Sequence, residues 1–424
     1  MSEATLAVHG GTPVTTEPFP QWPWFSDEMI EAATEPLRSG KCNYWTGQLG
    51  MRFEAAFAAW CGARFGISTS SGTTALHTAL AGLGIGPGDE VIVPSYTFIA
   101  SSMAICQAGA VPVFADVEPE SHTLSADSVR EKVSANTRAI VPVHLYGEVC
   151  DMDGLSAVAR EHGLKIVEDC AQAHGATYNG KKVGTLGDMG AFSFCQSKTF
   201  TTGGEGGCVV TDDEEVAWIC RSFRDHGYDV SARLALLEME AMLPYIHNML
   251  GFNFRMTEMQ SAIGLKQLEV LDTWNLPHRR ANGEALLAAL AGVPQIRKLP
   301  THNNRTRNGF WLFPIILDID TLTCTIKEFI EALGAEGIPC GPVMWPQCYK
   351  EKVYSEHIGF GRLRYPFRDP ATRPEAVRYT DYHCPNAAWV EERCFFVPTH
   401  PTYTGEHMRL SAEGIVKVIA AYAK

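Results

Sequence analysis

Short apolar runs alternate with amphipathic stretches between residues 53 and 224. The apolar runs predict strands at 66–68, 90–93, 111–114, 139–143, 165–168, 191–194 and 208–210. The amphipathic stretches predict helices at 53–60, 73–83, 98–108, 125–134, 152–162 and 213–223. Continuously apolar strands that alternate with helices are typical of an α/β fold, here a mostly parallel seven-stranded sheet covered by helices.

The rest of the chain predicts an N-terminal arm and a second, smaller domain. Capping residues precede two of the later helices, Thr257 with Gln260 and Thr325 with Glu328. The predicted later elements are helices at 257–271, 277–291, 325–335, 386–393 and 405–422, and strands at 310–317 and near 338. We therefore predict an arm at 1–25, a large domain at 26–256, a helical connector at 257–305 and a small C-terminal α+β domain at 306–424.

Composition narrows the class of protein. The 424 residues are 46% hydrophobic and carry a net charge of −13, which favours a large core and disfavours a nucleic-acid partner. The thirteen cysteines include no C-x-x-C pair or zinc-type spacing, so we expect reduced thiols and no metal. The chain shows no signal peptide and no apolar run of about 18 residues, which predicts a cytoplasmic protein without a membrane segment.

Ligands of such sheets bind outside the carboxyl ends of the strands, so the residues after each strand are candidates. Lys198 follows the strand at 191–194, and four glycines lie within 203–207. A lysine between a strand end and a glycine-rich loop favours covalent chemistry with an aldehyde. The alternative is a surface lysine beside a flexible loop.

Three further strand ends carry polar or aromatic candidates. Gly72, Thr73 and Thr74 open the helix after the first strand and could bind an anion, or could simply cap that helix. Phe98 could stack on a flat heterocycle or could be an ordinary core residue. Asp169 needs a cationic partner at such depth, such as a pyridinium nitrogen, unless it caps the following turn. Ser193 adds one more possible phosphate donor.

These pieces fit one cofactor, pyridoxal 5′-phosphate (PLP), which needs a lysine, an anion cup, an acid for its ring nitrogen and a stacking partner. The sequence also resembles the DegT/DnrJ/StrS-type family of PLP-dependent sugar and cyclitol aminotransferases, which have the aspartate aminotransferase fold. The matching segments are 71–76, 94–98, 114–117, 144–147, 168–172, 192–207 and 251–256.

The resemblance implies a role for each matching position. Lys198 would attach PLP and move protons, Asp169 would pair with the pyridinium nitrogen, and Gln172 would bind the 3-hydroxyl oxygen. Phe98 would stack on the ring. The phosphate would be held by Gly72, Thr73, Thr74 and Ser193, and by Asn253 of a partner subunit. A site completed by a partner subunit implies a homodimer. Arg255 would contact the phosphate or a donor carboxylate.

The resemblance implies an amino donor, glutamate or glutamine, and a keto-sugar or keto-cyclitol acceptor. Lys198 favours transamination over the dehydration carried out by relatives with histidine at this place. The segment 10–13 and the Phe-Pro-x-Trp-Pro that follows are similar to members that act on inososes or make aminohydroxybenzoate. A PLP-binding regulator is a distant alternative, because no basic DNA-binding lobe is evident.

Several other residues have a structural role as the simpler interpretation. His77 is expected in the core, while His144, Tyr44 and Trp45 could either pack or border the pocket. The segment 345–349 departs from the usual motif of sugar aminotransferases, which leaves the acceptor open. Residues 342–346 could line its pocket, and the long stretch 342–386 is expected to be functional or only partly irregular.

Overall fold

The computed structural model describes residues 5–230, 247–343 and 347–424. Its strands are β1 (Phe65–Thr69), β2 (Glu90–Pro94), β3 (Val111–Ala115), β4 (Thr137–Ile140), β5 (Lys165–Asp169), β6 (Thr177–Tyr178), β7 (Lys181–Lys182), β8 (Met189–Ser193), β9 (Gly207–Thr211), β10 (Ile296–Lys298), β11 (Thr306–Arg307), β12 (Leu312–Leu317), β13 (Gly341–Pro342) and β14 (Cys394–Pro398). Each strand run predicted between 66 and 210 is present.

The large sheet has seven strands in the order β1-β9-β8-β5-β4-β2-β3. The pairs β2–β3, β2–β4, β4–β5 and β5–β8 are parallel, whereas β9 runs antiparallel to both of its neighbours. Residues of β2, β3 and β8 are buried throughout, as expected for strands covered on both faces. The prediction of a mostly parallel α/β fold is confirmed.

Most helices begin where the sequence places a capping residue. The described α-helices are α1 (Asp27–Ser39), α2 (Leu49–Cys61), α3 (Gly72–Gly82), α4 (Ala100–Gln107), α5 (Ala126–Lys132), α6 (Met152–His162), α7 (Glu214–Arg224), α8 (Glu258–Val270), α9 (Leu276–Leu290), α10 (Ile326–Ala335), α11 (Lys352–Ser355), α12 (Pro385–Glu391) and α13 (Gly405–Tyr422). Ser26 caps α1, and the predicted capping boxes of Thr257 and Thr325 are both formed. A π-helical turn, Leu271–Asn275, joins α8 to α9 without a break.

A second sheet of order β10-β12-β14-β13 supports the smaller core. Strand β14 pairs with both β12 and β13, although the sequence analysis did not predict it. Its five residues lie between two predicted helices, but Phe395 and Val397 alternate toward the core, which is a readable strand signal. Leu6 of the N-terminal segment also packs into this core.

Residues 347–393 pack against the large sheet rather than against the second one. Tyr354 and Tyr379 lie edge-on to Phe114 of β3, and both rings are fully buried. The Tyr379 hydroxyl donates to the carbonyl of Pro112 at 3.1 Å. The division of the chain at 25, 256 and 305 stays a prediction, but this stretch shows that the C-terminal part contributes to both cores.

All thirteen cysteines carry free thiols. Among the described residues, no helix combines the length and the apolar character needed to span a bilayer. The segment 344–346, which the sequence analysis considered for the acceptor pocket, lies outside the described residues, as do 231–246.

Candidate active site

The carboxyl ends of β2, β5 and β8 meet at one edge of the large sheet because these strands are parallel. Asp169 ends β5, Ser193 ends β8, and Phe98 lies in the turn after β2. The helix α3 begins beside Ser193, since a Cβ atom placed on Gly72 would lie 2.5 Å from the Ser193 Cβ. The fold therefore brings the strand-end candidates together.

Lys198 lies in the turn after β8, and its Nζ is 4.1 Å from the centroid of the Trp311 ring. Burial lowers the pKa of Lys198 to about 8, although the charge of Asp169 acts in the opposite direction. A neutral amine is the form that attacks an aldehyde or accepts a proton, so this environment suits a nucleophile and base.

Asp169 is buried, and two donors reach its carboxylate. The Ser101 hydroxyl donates to Oδ2 at 2.7 Å, and the Ala171 N–H donates to Oδ1 at 3.1 Å. Burial raises the pKa of Asp169, while these two hydrogen bonds and the positive charge of Lys198 lower it. Asp169 and Lys198 thus influence each other without a hydrogen bond or ion pair between them.

Glu168 precedes Asp169 in β5 and points to the other side of the sheet. Four donors surround its carboxylate, the His144 ring at 2.9 Å and the N–H groups of Gly184, Leu186 and Gly187 at 2.7–2.8 Å. The Cys150 N–H donates to Nδ1 of His144, so the hydrogen on Nε2 faces Glu168. His144 therefore has a structural partner.

His144, Glu168 and Cys170 also place three potential metal ligands within 4.8 Å of one another. The hydrogen bonds of Glu168 and His144 already use the atoms that a cation would need. Burial raises the pKa of the Cys170 thiol well above its usual range, which disfavours the thiolate that binds metals. This cluster is accordingly a structural network.

The first turn of α3 combines capping with free backbone donors. Ser71 and Thr74 form a reciprocal capping box, so the Thr74 hydroxyl donates to the Ser71 carbonyl and accepts from its N–H. The first N–H groups of a helix have no partner within it, and Gly72 and Thr73 occupy those positions. Thr74 therefore takes part in capping, the backbone still offers an anion site, and the contact of Thr74 with a phosphate stays a prediction.

Phe98 and Gln172 differ in their surroundings. Phe98 is 41% exposed, which is unusual for a phenylalanine at a strand end and leaves a ring surface for a flat ligand. The Tyr146 N–H donates to Oε1 of Gln172 at 2.8 Å, so the amide nitrogen of Gln172 is the group available to a ligand oxygen.

Asn253 and Arg255 do not contact this edge through their side chains within the described residues. Asn253 is exposed and lies in a bridge with Asp225. The Arg255 guanidinium pairs with Asp225, and its Nη1 also lies 3.2 Å from Nδ1 of His226. The implied contact of Arg255 with a phosphate or carboxylate would therefore compete with a strong internal ion pair.

The remaining candidates, His77, Tyr44 and Trp45, each have partners within the fold. His77 packs against Phe223 and Phe252, and burial lowers its pKa to about 4. The Tyr44 hydroxyl donates to Glu54, and the Trp45 indole donates to Asp225. Sequence reasoning missed Ser101, Trp311 and Trp22, whose partners are far away along the chain and leave no local signal.

The residues present fit PLP on four observations. Asp169 is a buried carboxylate that accepts two hydrogen bonds and forms no ion pair among the described residues, and burial raises its pKa. The close approach of Gly72 to Ser193 leaves room there only for backbone and small side chains, as a phosphate cup requires. Phe98 provides a ring that is 41% exposed, and Lys198 provides an amine with a lowered pKa.

Comparisons with known proteins agree with this site. The model of the DegT/DnrJ/EryC1/StrS aminotransferase family matches residues 24–415. The chain is 43% identical to GDP-perosamine synthase of Caulobacter vibrioides over 308 residues, 71% of this chain and 78% of that one. It is 36% identical to L-glutamine:2-deoxy-scyllo-inosose aminotransferase of Streptomyces fradiae over 435 residues, 99% of this chain and 97% of that one.

Solved structures give the same result. The aminotransferase from Psychrobacter cryohalolentis aligns with a TM-score of 0.85 at 34% identity, covering 95% of this chain and 99% of that chain. GDP-4-keto-6-deoxymannose-3-dehydratase with a trapped PLP-glutamate geminal diamine aligns with a TM-score of 0.78 at 25% identity, covering 94% and 100%. The predicted family, enzyme class and cofactor are confirmed: the chain belongs to the DegT/DnrJ/EryC1/StrS aminotransferase family, whose cofactor is PLP.

Proposed function

We propose that this enzyme transfers an amino group from glutamate or glutamine to a ketone on a sugar or cyclitol. The observation that carries the proposal is the pair of Lys198 and Asp169 at one sheet edge, each shifting the pKa of the other without direct contact. The names of the relatives from C. vibrioides and S. fradiae support an acceptor of this class, and the second also supports glutamine as donor.

Lys198 would hold the cofactor between turnovers and act as the base during them. When bound, PLP supplies an aldehyde that takes up the amino group and an electron-poor ring that stabilises negative charge at the substrate Cα. The released Nζ of Lys198 takes the proton from Cα of the donor and later returns a proton to the carbon of the acceptor. A pKa of about 8 lets Nζ both accept and give up this proton near neutral pH.

Asp169 would keep the ring nitrogen protonated. Its carboxylate is held by Ser101 and by the Ala171 N–H, so its orientation is set before any ligand binds. A cationic ring nitrogen beside it would lower its pKa again and relieve the cost of burying a carboxylate without a close cation. The residue would therefore gain a favourable partner on binding the cofactor.

The other positions would orient the cofactor. Phe98 would cover the exposed ring face, and the amide nitrogen of Gln172 would donate to the 3-hydroxyl oxygen. The N–H groups of Gly72 and Thr73, with the Thr73 and Ser193 hydroxyls, would bind the phosphate at the start of α3. Thr74 would support this turn through the capping box that its hydroxyl forms with Ser71.

We also propose a cytoplasmic homodimer in which Asn253 enters the site of the partner. The side chain of Asn253 supports this role because it is exposed and therefore accessible to a partner subunit. Asn253→Ala should weaken cofactor retention while the dimer stays intact in sedimentation. Retention equal to the unmodified enzyme would remove Asn253 from the phosphate site.

The activity is tested by separating the two half-reactions. The enzyme is incubated with glutamine or glutamate in turn, and conversion of PLP to its pyridoxamine form and release of the keto acid are measured. Nucleotide-linked keto-sugars, free inososes and aminoshikimate precursors are then added to the converted enzyme. Return of the PLP absorbance with an aminated product supports the proposal, whereas loss of water without amination would indicate a dehydratase.

A further inference from the structure

Three consecutive carbonyls around Lys198 each accept a hydrogen bond from a side chain. The bonds run from Trp311 Nε1 to Ser197 at 2.6 Å, from Trp22 Nε1 to Lys198 at 2.9 Å and from Asn275 Nδ2 to Thr199 at 2.7 Å. We call Trp22, Asn275 and Trp311 the carbonyl clamp. Its members come from three distant parts of the chain, the N-terminal segment, the turn between α8 and α9, and the residue before β12.

Arg279 connects the members of the carbonyl clamp. Its Nε donates to Oδ1 of Asn275 at 2.9 Å, and its Nη1 donates to the carbonyl of Trp311 at 3.3 Å. Its guanidinium carbon lies 4.9 Å from the centroid of the Trp22 ring. One side chain of α9 thus touches all three groups that hold the backbone of the lysine.

Burying the charged guanidinium of Arg279 costs free energy unless other groups compensate for it. The residue is fully buried, and no carboxylate of the described residues lies within ion-pair distance of it. An isolated buried charge costs several kcal/mol unless hydrogen bonds and an aromatic face replace the water that it loses. The hydrogen bonds of Nε and Nη1 and the contact with the Trp22 ring replace part of that water, so Arg279 and the clamp depend on each other.

The turn that carries Asn275 supports the same conclusion. Residues Leu271–Asn275 form a π-helical turn, in which the Leu276 N–H donates to the carbonyl of Leu271, five residues earlier. Such turns change the direction of side chains relative to a regular α-helix and are frequent at functional sites. Here the turn places Asn275 between Arg279 and the carbonyl of Thr199.

We propose that Arg279 is a positioning residue that fixes the backbone of Lys198 through the carbonyl clamp. The side chain of Lys198 must change its bonding partners during each turnover, while the glycine-rich segment 203–207 that follows offers little rigidity of its own. The clamp supplies that rigidity from outside the loop. This inference rests on the proposed role of Lys198 as the lysine that carries the cofactor.

The first test removes one hydrogen bond and keeps the aromatic ring. Trp22→Phe should increase amide hydrogen exchange of residues 195–202 about fivefold, in both the cofactor-free and the cofactor-loaded enzyme. It should lower kcat about fivefold with little change in KM, because the loss affects the lysine and not substrate binding. The control is Trp60→Phe, since the Trp60 indole donates to Asp272 at the same distance of 2.9 Å but away from Lys198.

The second test separates the shape of Arg279 from its charge. Arg279→Lys keeps a cation but cannot reach Asn275, Trp311 and the Trp22 ring together, so it should reproduce the exchange and kcat effects of Trp22→Phe or exceed them. Unchanged exchange at 195–202 in both variants would overturn the proposal. Faster exchange with unchanged kcat would confirm the clamp as a structural contact but remove its role in catalysis. Borohydride trapping and peptide mapping of the cofactor lysine separately test the role of Lys198, so the two assignments can fail independently.

Discussion

Glu168 and Asp169 are neighbours in β5, but their carboxylates have opposite surroundings. Four donors at 2.7–2.9 Å surround Glu168, which faces away from the site. Two donors reach Asp169, which faces the site and has a pKa raised by burial. A buried carboxylate with a full set of partners stabilises the fold, whereas one with an incomplete set is available to a ligand.

The largest effect is expected when the amine of Lys198 is removed. Lys198→Ala should abolish turnover and the covalent attachment of PLP, because no other amine takes its place. Borohydride reduction followed by mass spectrometry checks the attachment. The matched control is Lys182→Ala, because Nζ of Lys182 lies 4.0 Å from the Trp60 ring centroid, much as Lys198 lies beside Trp311, and burial also lowers its pKa. Attachment of PLP in Lys198→Ala would show that another lysine is used.

Asp169→Asn changes the carboxylate that has an incomplete set of hydrogen-bond partners. It should lower kcat by about 10²–10³-fold, since an amide cannot hold a proton on the ring nitrogen, while the melting temperature changes little. Steady-state kinetics and thermal unfolding measure the two effects. A kcat near that of the unmodified enzyme would refute the assigned role of Asp169.

Glu168→Gln changes the carboxylate that has a full set of hydrogen-bond partners. It should lower stability and leave kcat largely unchanged, the opposite of Asp169→Asn. The new side-chain NH2 group would face one of the backbone N–H groups that now donate to the carboxylate, so two donors would meet. We therefore expect a loss of about 2–4 kcal/mol in the free energy of unfolding. Denaturant unfolding measures it. The folded fraction should keep most of its kcat, and a large kcat loss without destabilisation would contradict the contrast between the two carboxylates.

The pH dependence of the reaction tests the role of Lys198 beside Asp169. Its pKa of about 8 predicts that the rate of the donor half-reaction falls toward tenfold per pH unit well below pH 8. The rate falls toward low pH because only the neutral amine of Lys198 accepts the Cα proton, and the neutral form is lost as the amine becomes protonated. Stopped-flow absorbance of the cofactor measures the rate, and a rate independent of pH between about 6 and 8 would contradict this role.

The smallest effect is expected for Ser101→Ala, which removes one of the two donors to Asp169. We expect a three- to tenfold lower kcat, about 1 kcal/mol, because Ala171 still holds the other oxygen. Ser102→Ala is the neighbouring control, since its hydroxyl bonds to the Ile99 carbonyl and to Tyr354 instead. Equal effects in both variants would point to a general disturbance of α4.

The large sheet and the main residues of the site could be predicted from the sequence because their signals are local. A short apolar run predicts strand β5, which ends at Asp169, and Gln172 follows three residues later. The same holds for β8 and Lys198. Capping residues such as Thr257 fixed helix starts in the same way, since a cap interacts with the three residues that follow.

The supporting contacts could not be predicted, because their partners are far apart in the chain. Ser101 reaches Asp169 across 68 residues and Trp22 reaches Lys198 across 176, and neither pairing leaves a periodic pattern. The 41% exposure of Phe98 also contradicts the ordinary expectation for its residue type. Only the folded arrangement shows which polar groups find each other.

The tyrosines of residues 347–393 have a further consequence for the outer strand of the large sheet. Strand β3 is the last strand of that sheet, and an open last strand can pair with a second molecule. The Tyr379 hydroxyl donates to the Pro112 carbonyl, and Tyr354 and Tyr379 cover Phe114. This segment therefore shields β3 from unwanted pairing, and shortening it would expose the enzyme to aggregation.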